Sequence, residues 1–130
     1  MVAWKEEYRI GIEKIDQQHR KLFEIAGRAY DILKDPFSLD KYDQIVEIIE
    51  ELKDYTIYHF NSEEEYMQSI GYKRFFSHKV QHEEFIDKIR SVDLTKIDYD
   101  QDKYLVDLLD FVLGWIDGHI LGTDKLIVEP

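Results

Sequence analysis

Every histidine of this 130-residue chain, five in all, sits at a spacing that suits a metal, and two carboxylates fall in beside them. His59-x-x-x-Glu63 and His78-x-x-x-His82 are pairs separated by four, His119 precedes Asp124 by five, and His19 stands alone near the start. In a helix, side chains four apart lie on one face about a turn from each other, so both reach a common point. Neutral imidazoles with two carboxylates suit a borderline first-row metal such as iron better than calcium or magnesium. A lone histidine on an apolar face is usually a satisfied core residue. Five on inward stripes, with Glu63 among them, point instead to one shared metal site, because burying a polar ring without a partner is costly.

Seven ligands are too many for one ion but fit two five- or six-coordinate ions that share bridges. A carboxylate has two oxygens and bridges well, whereas an imidazole normally binds one metal. Glu63 and Asp124 are therefore the expected bridges, and the five histidines the terminal ligands. In a continuous helix the step from His119 to Asp124 would turn the carboxylate about 140° away. Gly118 and Gly122 are expected to let the chain leave helical geometry there and aim Asp124 back between the metals.

Four helical segments can position these groups. The first is expected over Gln17–Lys34, with Asp16 as N-cap and Asp35-Pro36 as its stop. The second is expected over Leu39–Ser69, capped by Ser38 or Asp40 and closed by Gly71. The third covers Lys73–Val92 and, after a polar stretch from Asp93 to Asp100, the fourth covers Gln101–His119. Apolar stripes place His19 in line with Leu22, Ala26, Ala29 and Leu33, and His59, Glu63 and Met67 in line with Ile45, Ile48, Leu52 and Tyr55. His78 and His82 continue into Phe85, Ile89 and Val92, and His119 follows Leu108, Val112 and Trp115. Four amphipathic helices with short connections predict an all-α, up-down-up-down antiparallel four-helix bundle with an N-terminal arm. Alternating directions bring the start of the first and third helices level with the end of the second and fourth, so all four ligand groups fall at one end. The expected organisation is one domain, 1–130: an arm over 1–15, four helices over 16–119, and a C-terminal segment over 120–130 that carries a ligand.

Composition narrows the function. Seventeen Lys and Arg against 28 Asp and Glu give a net charge of −11, which repels phosphate backbones and anionic surfaces, so neither nucleic acid nor membrane is an expected partner. With no Cys there is no disulfide, thiolate metal site or thiol nucleophile. No apolar stretch approaches the ~20 residues of a membrane helix. The first seven residues lack the basic-then-apolar pattern of a signal peptide, so a soluble cytoplasmic protein is expected.

The residues Asp16-Gln17-Gln18-His19, His59-Phe60-x-x-Glu63-Glu64, Met67, Gly71-Tyr72, His78-x-x-x-His82 and Trp115-x-x-x-His119-Ile120-x-x-x-Asp124, in this order over nearly the whole chain, resemble the hemerythrin family, in particular single-domain bacteriohemerythrins. The resemblance implies a non-haem di-iron centre, with an oxo or hydroxo bridge, that binds O2 reversibly. It implies that His78, His82 and His119 complete one iron and His19 and His59 the other, which keeps the open position, with Glu63 and Asp124 bridging. Leu22, Phe60, Trp115, Ile116 and Ile120 match the family's O2 pocket, although periodicity alone reads them as bundle core. Asp16 could orient an imidazole as well as cap a helix, and Glu64, about 100° round from Glu63, reads as a solvated surface acid.

Three functions follow from that resemblance. The first is O2 carriage, storage or scavenging, with an unidentified oxygenase as a possible recipient. The second is an O2 or redox sensor that acts through a signalling partner. The third is a di-iron oxidase, peroxidase or ferroxidase. Ferritin-like sites use paired Glu-x-x-His motifs and four carboxylates. Five neutral imidazoles with two carboxylates stabilise high-valent iron less, which favours binding over catalysis. A closed zinc site would need only four ligands.

Overall fold

A computed structural model of the chain describes residues 3–92 and 100–128. Four long helices make the body: α1 over Glu13–Lys34, α2 over Tyr42–Ser69, α3 over Phe75–Arg90 and α4 over Gln101–His119. A single 3-10 turn, Glu6–Tyr8, precedes them, and a π-helical turn, Ile120–Asp124, leads from α4 into the short α5, Lys125–Val128. No strand occurs among the described residues. Helix α1 packs on α2 and α4, and α2 packs on α3. Phe85 of α3 closes the ring by lying against Phe111 and Trp115 of α4, with ring centroids 5.5 and 4.4 Å apart. The architecture is the expected hemerythrin-like four-helix bundle. No described helix is long and apolar enough to cross a membrane.

Periodicity explains the core. Ile45, Ile48, Leu52, His59, Glu63 and Met67 of α2 are buried, as are His78, His82, Phe85 and Ile89 of α3. On α4 the buried line is Leu105, Leu109, Val112, Ile116 and His119, with alternating steps of four and three. Leu108 and Trp115, expected on that line, sit on its flank and are only partly buried. The α4 sequence is apolar on several adjacent faces, so composition does not say which of them meets the other helices.

Helix ends correct three expectations. Helix α1 starts at Glu13, and Asp16 lies inside its first turn without capping it. Its fully buried carboxylate instead accepts hydrogen bonds from the backbone N–H groups of Ile10 (2.9 Å) and Gly11 (3.1 Å), which ties the arm to the helix. The chain reverses there at Gly11, whose φ of +92° is one that a side-chain-bearing residue rarely adopts. Helix α2 starts at Tyr42, whose N–H is held at 3.0 Å by Asp40 rather than by Ser38. Its far end is the expected glycine stop. Gly71 takes φ +64°, its N–H reaches Gln68 O and the Tyr72 N–H reaches Met67 O at 2.9 Å, the paired bonds of a Schellman motif. The polar link expected over Asp93–Asp100 lies outside the described residues except for Asp100, whose side chain caps α4 by accepting from Lys103 N–H.

The arm is anchored over α1 and α4. The Tyr8 ring stacks on Phe23 at 4.9 Å and its hydroxyl donates to Asp117 at 2.7 Å. At the other end of the bundle the buried Lys41 ammonium donates to Leu33 O (3.1 Å) and Asp102 (2.9 Å), pinning the α1–α2 turn to α4.

Candidate metal centre

His19 and His59 face one another from the first half of α1 and the second half of α2, with ring centroids 4.7 Å apart. His78 and His82 open α3, and His119 ends α4. The antiparallel arrangement thus brings all five histidines, Glu63 and Asp124 to one level, and each of the seven is at most 5% exposed. The donor atoms form two clusters, Glu63–His78–His82–His119–Asp124 and His19–His59–Glu63–Asp124, and both carboxylates belong to both.

The two oxygens of each carboxylate face opposite clusters. Glu63 Oε1 lies 2.6 Å from His78 Nε2 and 3.0 Å from His82 Nε2, whereas Oε2 lies 3.4 Å from His59 Nε2 and 3.7 Å from His19 Nε2. Asp124 Oδ1 is 2.9 Å from His78 Nε2 and 3.0 Å from His119 Nε2, and Oδ2 is 3.0 Å from His19 Nε2. Both Nε2–Nε2 separations that involve His119, to His78 and to His82, are 3.1 Å. Metal–ligand bonds of about 2.1 Å at right angles would set neighbouring donors about 3 Å apart, so the spacing fits ligands gathered round an ion. Glu63 Oε2, His19 Nε2 and both Asp124 oxygens are buried with no hydrogen-bond partner among the described residues. Groups that costly to leave unpaired fit a centre that satisfies them.

Three of the rings are held from behind. His59 Nδ1 donates to Gln18 Oε1 at 2.7 Å, His82 Nδ1 to Glu64 Oε2 at 2.8 Å, and His119 Nδ1 to Gln81 Oε1 at 3.0 Å. Thr123 Oγ1 donates to the same Gln81 oxygen at 3.0 Å. An N–H fixed at Nδ1 leaves the Nε2 lone pair facing the centre, which sets both tautomer and ring plane. Glu64 is therefore no solvated acid, and Asp16 orients no imidazole. Gln18, Gln81 and Glu64 share a signal in the sequence. Each adjoins a ligand in the chain and, turned about 100° from it, serves the ligand of the neighbouring helix.

Asp124 reaches the centre through the π-helical turn. Lys125 N–H bonds Ile120 O, an i→i+5 contact that widens the turn, so a residue five positions after His119 comes back to nearly the same face. The expected departure from helical geometry at Gly118 and Gly122 is replaced by this wider turn. Neither glycine takes a positive φ, and a Cβ on either meets nothing within 4 Å.

Charge is balanced inside the cluster. Burial opposes ionisation of Glu63, but the surrounding imidazoles outweigh it and hold the carboxyl well below its usual range. Asp124 is lowered in the same way, by His119 and His19, against burial and the repulsion of Glu63. Burial disfavours a charged ring at His19 and His119 too, yet the two carboxylates prevail and raise each to about 9. His78 is raised by the same pair against burial, whereas burial wins at His59 and lowers it. Two buried carboxylates thus hold positive charge in the protein itself, a charge that metal cations would supply in place of protons.

The hemerythrin HHE cation binding domain model matches residues 10–129. The chain belongs to the hemerythrin family. It is 53% identical over 129 residues to a bacteriohemerythrin of Clostridium acetobutylicum, covering 99% of this chain and 100% of that protein. A bacteriohemerythrin of Stenotrophomonas maltophilia is 32% identical over 130 residues, 99% of this chain and 80% of its own length. A myohemerythrin of Sipunculus nudus is 31% identical over 104 residues, 77% of this chain and 78% of its own. Hemerythrins are a di-iron family, and the seven-residue cluster is one that can hold such a centre.

Beside the two-histidine cluster of this hemerythrin domain lies a cavity of about 10 Å³, room for roughly one water-sized molecule. Leu22, Phe60, Trp115, Ile116 and Ile120 all line it, together with Phe85 from the inward stripe of α3 and Thr56, which periodicity did not single out. Two aromatic rings also clamp the ligands. Phe60 stacks on His82 at 3.8 Å with planes 2° apart, and Trp115 stacks on His119 at 4.3 Å and 13°.

Proposed function

We propose that this chain binds O2 reversibly as a carrier, store or scavenger, and that it does so as a single domain over 1–130. His78, His82 and His119 would hold one iron and His19 and His59 the other, with Glu63 and Asp124 bridging. The observation that carries this is the division of labour within each carboxylate, one oxygen toward the three-histidine cluster and the other toward the two-histidine cluster. It favours two ions with unequal numbers of protein ligands, and an open position on the side of His19 and His59. When bound, the iron pair supplies the reducing equivalents and the coordination site for O2.

The chain's own residues do the rest. Gln18, Glu64 and Gln81 hold three imidazoles with Nε2 aimed inward. Leu22, Ile116 and Ile120, each at most 3% exposed, wall the cavity beside His19 and His59 with hydrocarbon. An apolar wall admits O2 and discourages water and proton donors, which would otherwise carry off reduced oxygen and leave the metals oxidised. The cavity holds nothing larger than a small molecule, which supports binding of O2 itself over turnover of an organic substrate, and hence a binding protein over an enzyme. A cytoplasmic setting, as composition suggests, belongs to the same proposal.

Metal analysis and visible spectroscopy test the proposal. The purified protein should carry about two irons per chain, be colourless when reduced, and develop charge-transfer bands with O2 that fade when O2 is withdrawn. His119→Ala should lose iron. One zinc per chain with no iron, or full iron content in His119→Ala, would refute the assignment.

A further inference from the structure

Among the described residues that line the cavity beside His19 and His59, Thr56 is the one that bears a hydroxyl. It lies on α2, three residues before His59, and is 2% exposed. Its hydroxyl has no hydrogen-bond partner among the described residues. Helical serines and threonines commonly give their hydroxyl to a carbonyl one turn back. Ser62 does so to Tyr58 O at 3.1 Å, and Ser69 and Ser91 reach Tyr66 O and Lys88 O at 2.7 Å. Thr56 makes no such bond. A buried hydroxyl left unpaired is costly, and valine would fill the same volume without that penalty.

The cavity is small, about 10 Å³. A guest of one or two atoms fills it, so whatever enters stands against all its walls, Thr56 included. The opposing walls, Leu22, Ile116 and Ile120, offer no hydrogen bond. A guest in the cavity can therefore supply the partner that this hydroxyl lacks.

We infer that Thr56 Oγ1 donates a hydrogen bond to O2 in this cavity and slows its release. The inference rests on the O2-binding reading above and adds to it one specificity-determining residue. It gives a role to the one hydroxyl in a wall otherwise made of aliphatic and aromatic side chains and candidate ligands. One neutral hydroxyl stabilises an electron-rich guest without offering the acidic proton that would carry it away.

Thr56→Val and Thr56→Ser in the iron-loaded full chain test this. Oxygenated protein is mixed in a stopped-flow instrument with an oxygen scavenger, and the decay of the oxy band gives the release rate. Thr56→Val should release O2 about fivefold faster or more, the factor that one hydrogen bond of ordinary net strength carries, whereas Thr56→Ser should stay within about twofold of the parent. A second readout needs no iron. Metal-free Thr56→Val should melt no lower than the metal-free parent, because it removes an unpaired hydroxyl. Parental release in Thr56→Val, or a lowered melting point in its metal-free form, would overturn the inference and make the hydroxyl either idle or structural. A parent chain that takes up no O2 would sink the O2-binding reading as well, whereas a parent that binds O2 with Thr56→Val unchanged sinks this inference alone.

Discussion

Removing the metal should reverse the sign with which pH acts on this bundle. In the metal-free protein His19 and His119 take pKa values of about 9 because Asp124 and Glu63 outweigh their burial. The unfolded chain releases those protons near ~6.5. Between these limits the native state holds protons that the unfolded state has lost. Their contribution is therefore fully present below about pH 6.5 and disappears as pH rises through about 9. Each such proton gives a slope of about 1.4 kcal/mol per pH unit, so one ring costs that much and two rings about twice as much. Against a total of ~5–15 kcal/mol for a domain, two units of alkaline shift should be plain. On the acid side the signs invert. Glu63 and Asp124 are lowered in the fold, so their contribution is present above the ordinary values of 4.5 and 3.8 and is lost as pH falls. His59, lowered by burial, likewise stops contributing as pH falls below 6.5. Metal-loaded protein should behave otherwise, since metal needs neutral imidazoles and gains on protons as pH rises. Urea unfolding of chelator-stripped and iron-loaded protein at pH 6.5, 7.5 and 8.5, at fixed ionic strength, measures both slopes. The stripped protein should lose stability toward pH 8.5 while the metal-dependent increment grows. A flat or rising profile for the stripped protein would refute the assignment of protons to this cluster.

Three further outcomes follow from single contacts. Gln81→Leu deprives His119 Nδ1–H and the Thr123 hydroxyl of their common acceptor, and should weaken metal binding about 10–100-fold in a chelator competition while the helix content by circular dichroism is unchanged. Asp16→Ala leaves the Ile10 and Gly11 N–H groups without their carboxylate, and should cost about 3–5 kcal/mol in urea unfolding; a loss under about 1 kcal/mol would return Asp16 to an ordinary helix residue. Ile116→Ala opens the cavity to water, so the oxygenated protein should oxidise faster with iron content near the parent's, and an unchanged oxy lifetime would reduce Ile116 to core packing.

The sequence by itself determined which residue types gather at the site and at which end of the bundle they meet. Imidazoles and carboxylates repeat on the steps of four and three that a helix turns to one face, and antiparallel connection is enough to bring His19, His59, Glu63, His78, His82 and His119 level. Gly71 was equally legible, because only a residue without a side chain ends a helix easily at positive φ. Tertiary structure decided what depends on contacts between helices. Gln18 serves His59, Glu64 serves His82 and Gln81 serves His119, each across a helix interface, so adjacency to a ligand marks them in the chain but not which imidazole each one holds. It likewise chose Leu109 and Ile116 over Leu108 and Trp115 as the buried line of α4, where several faces are apolar enough to pack. Asp124 is the sharpest instance. Along the chain it stands five from His119, the wrong face of an α-helix, and the π-helical turn over Ile120–Asp124 that corrects it is a backbone choice set by what the carboxylate meets in the bundle. Local propensities are worth tenths of a kcal/mol per residue, whereas a buried carboxylate without partners costs several, and at this position the larger energy shapes the chain.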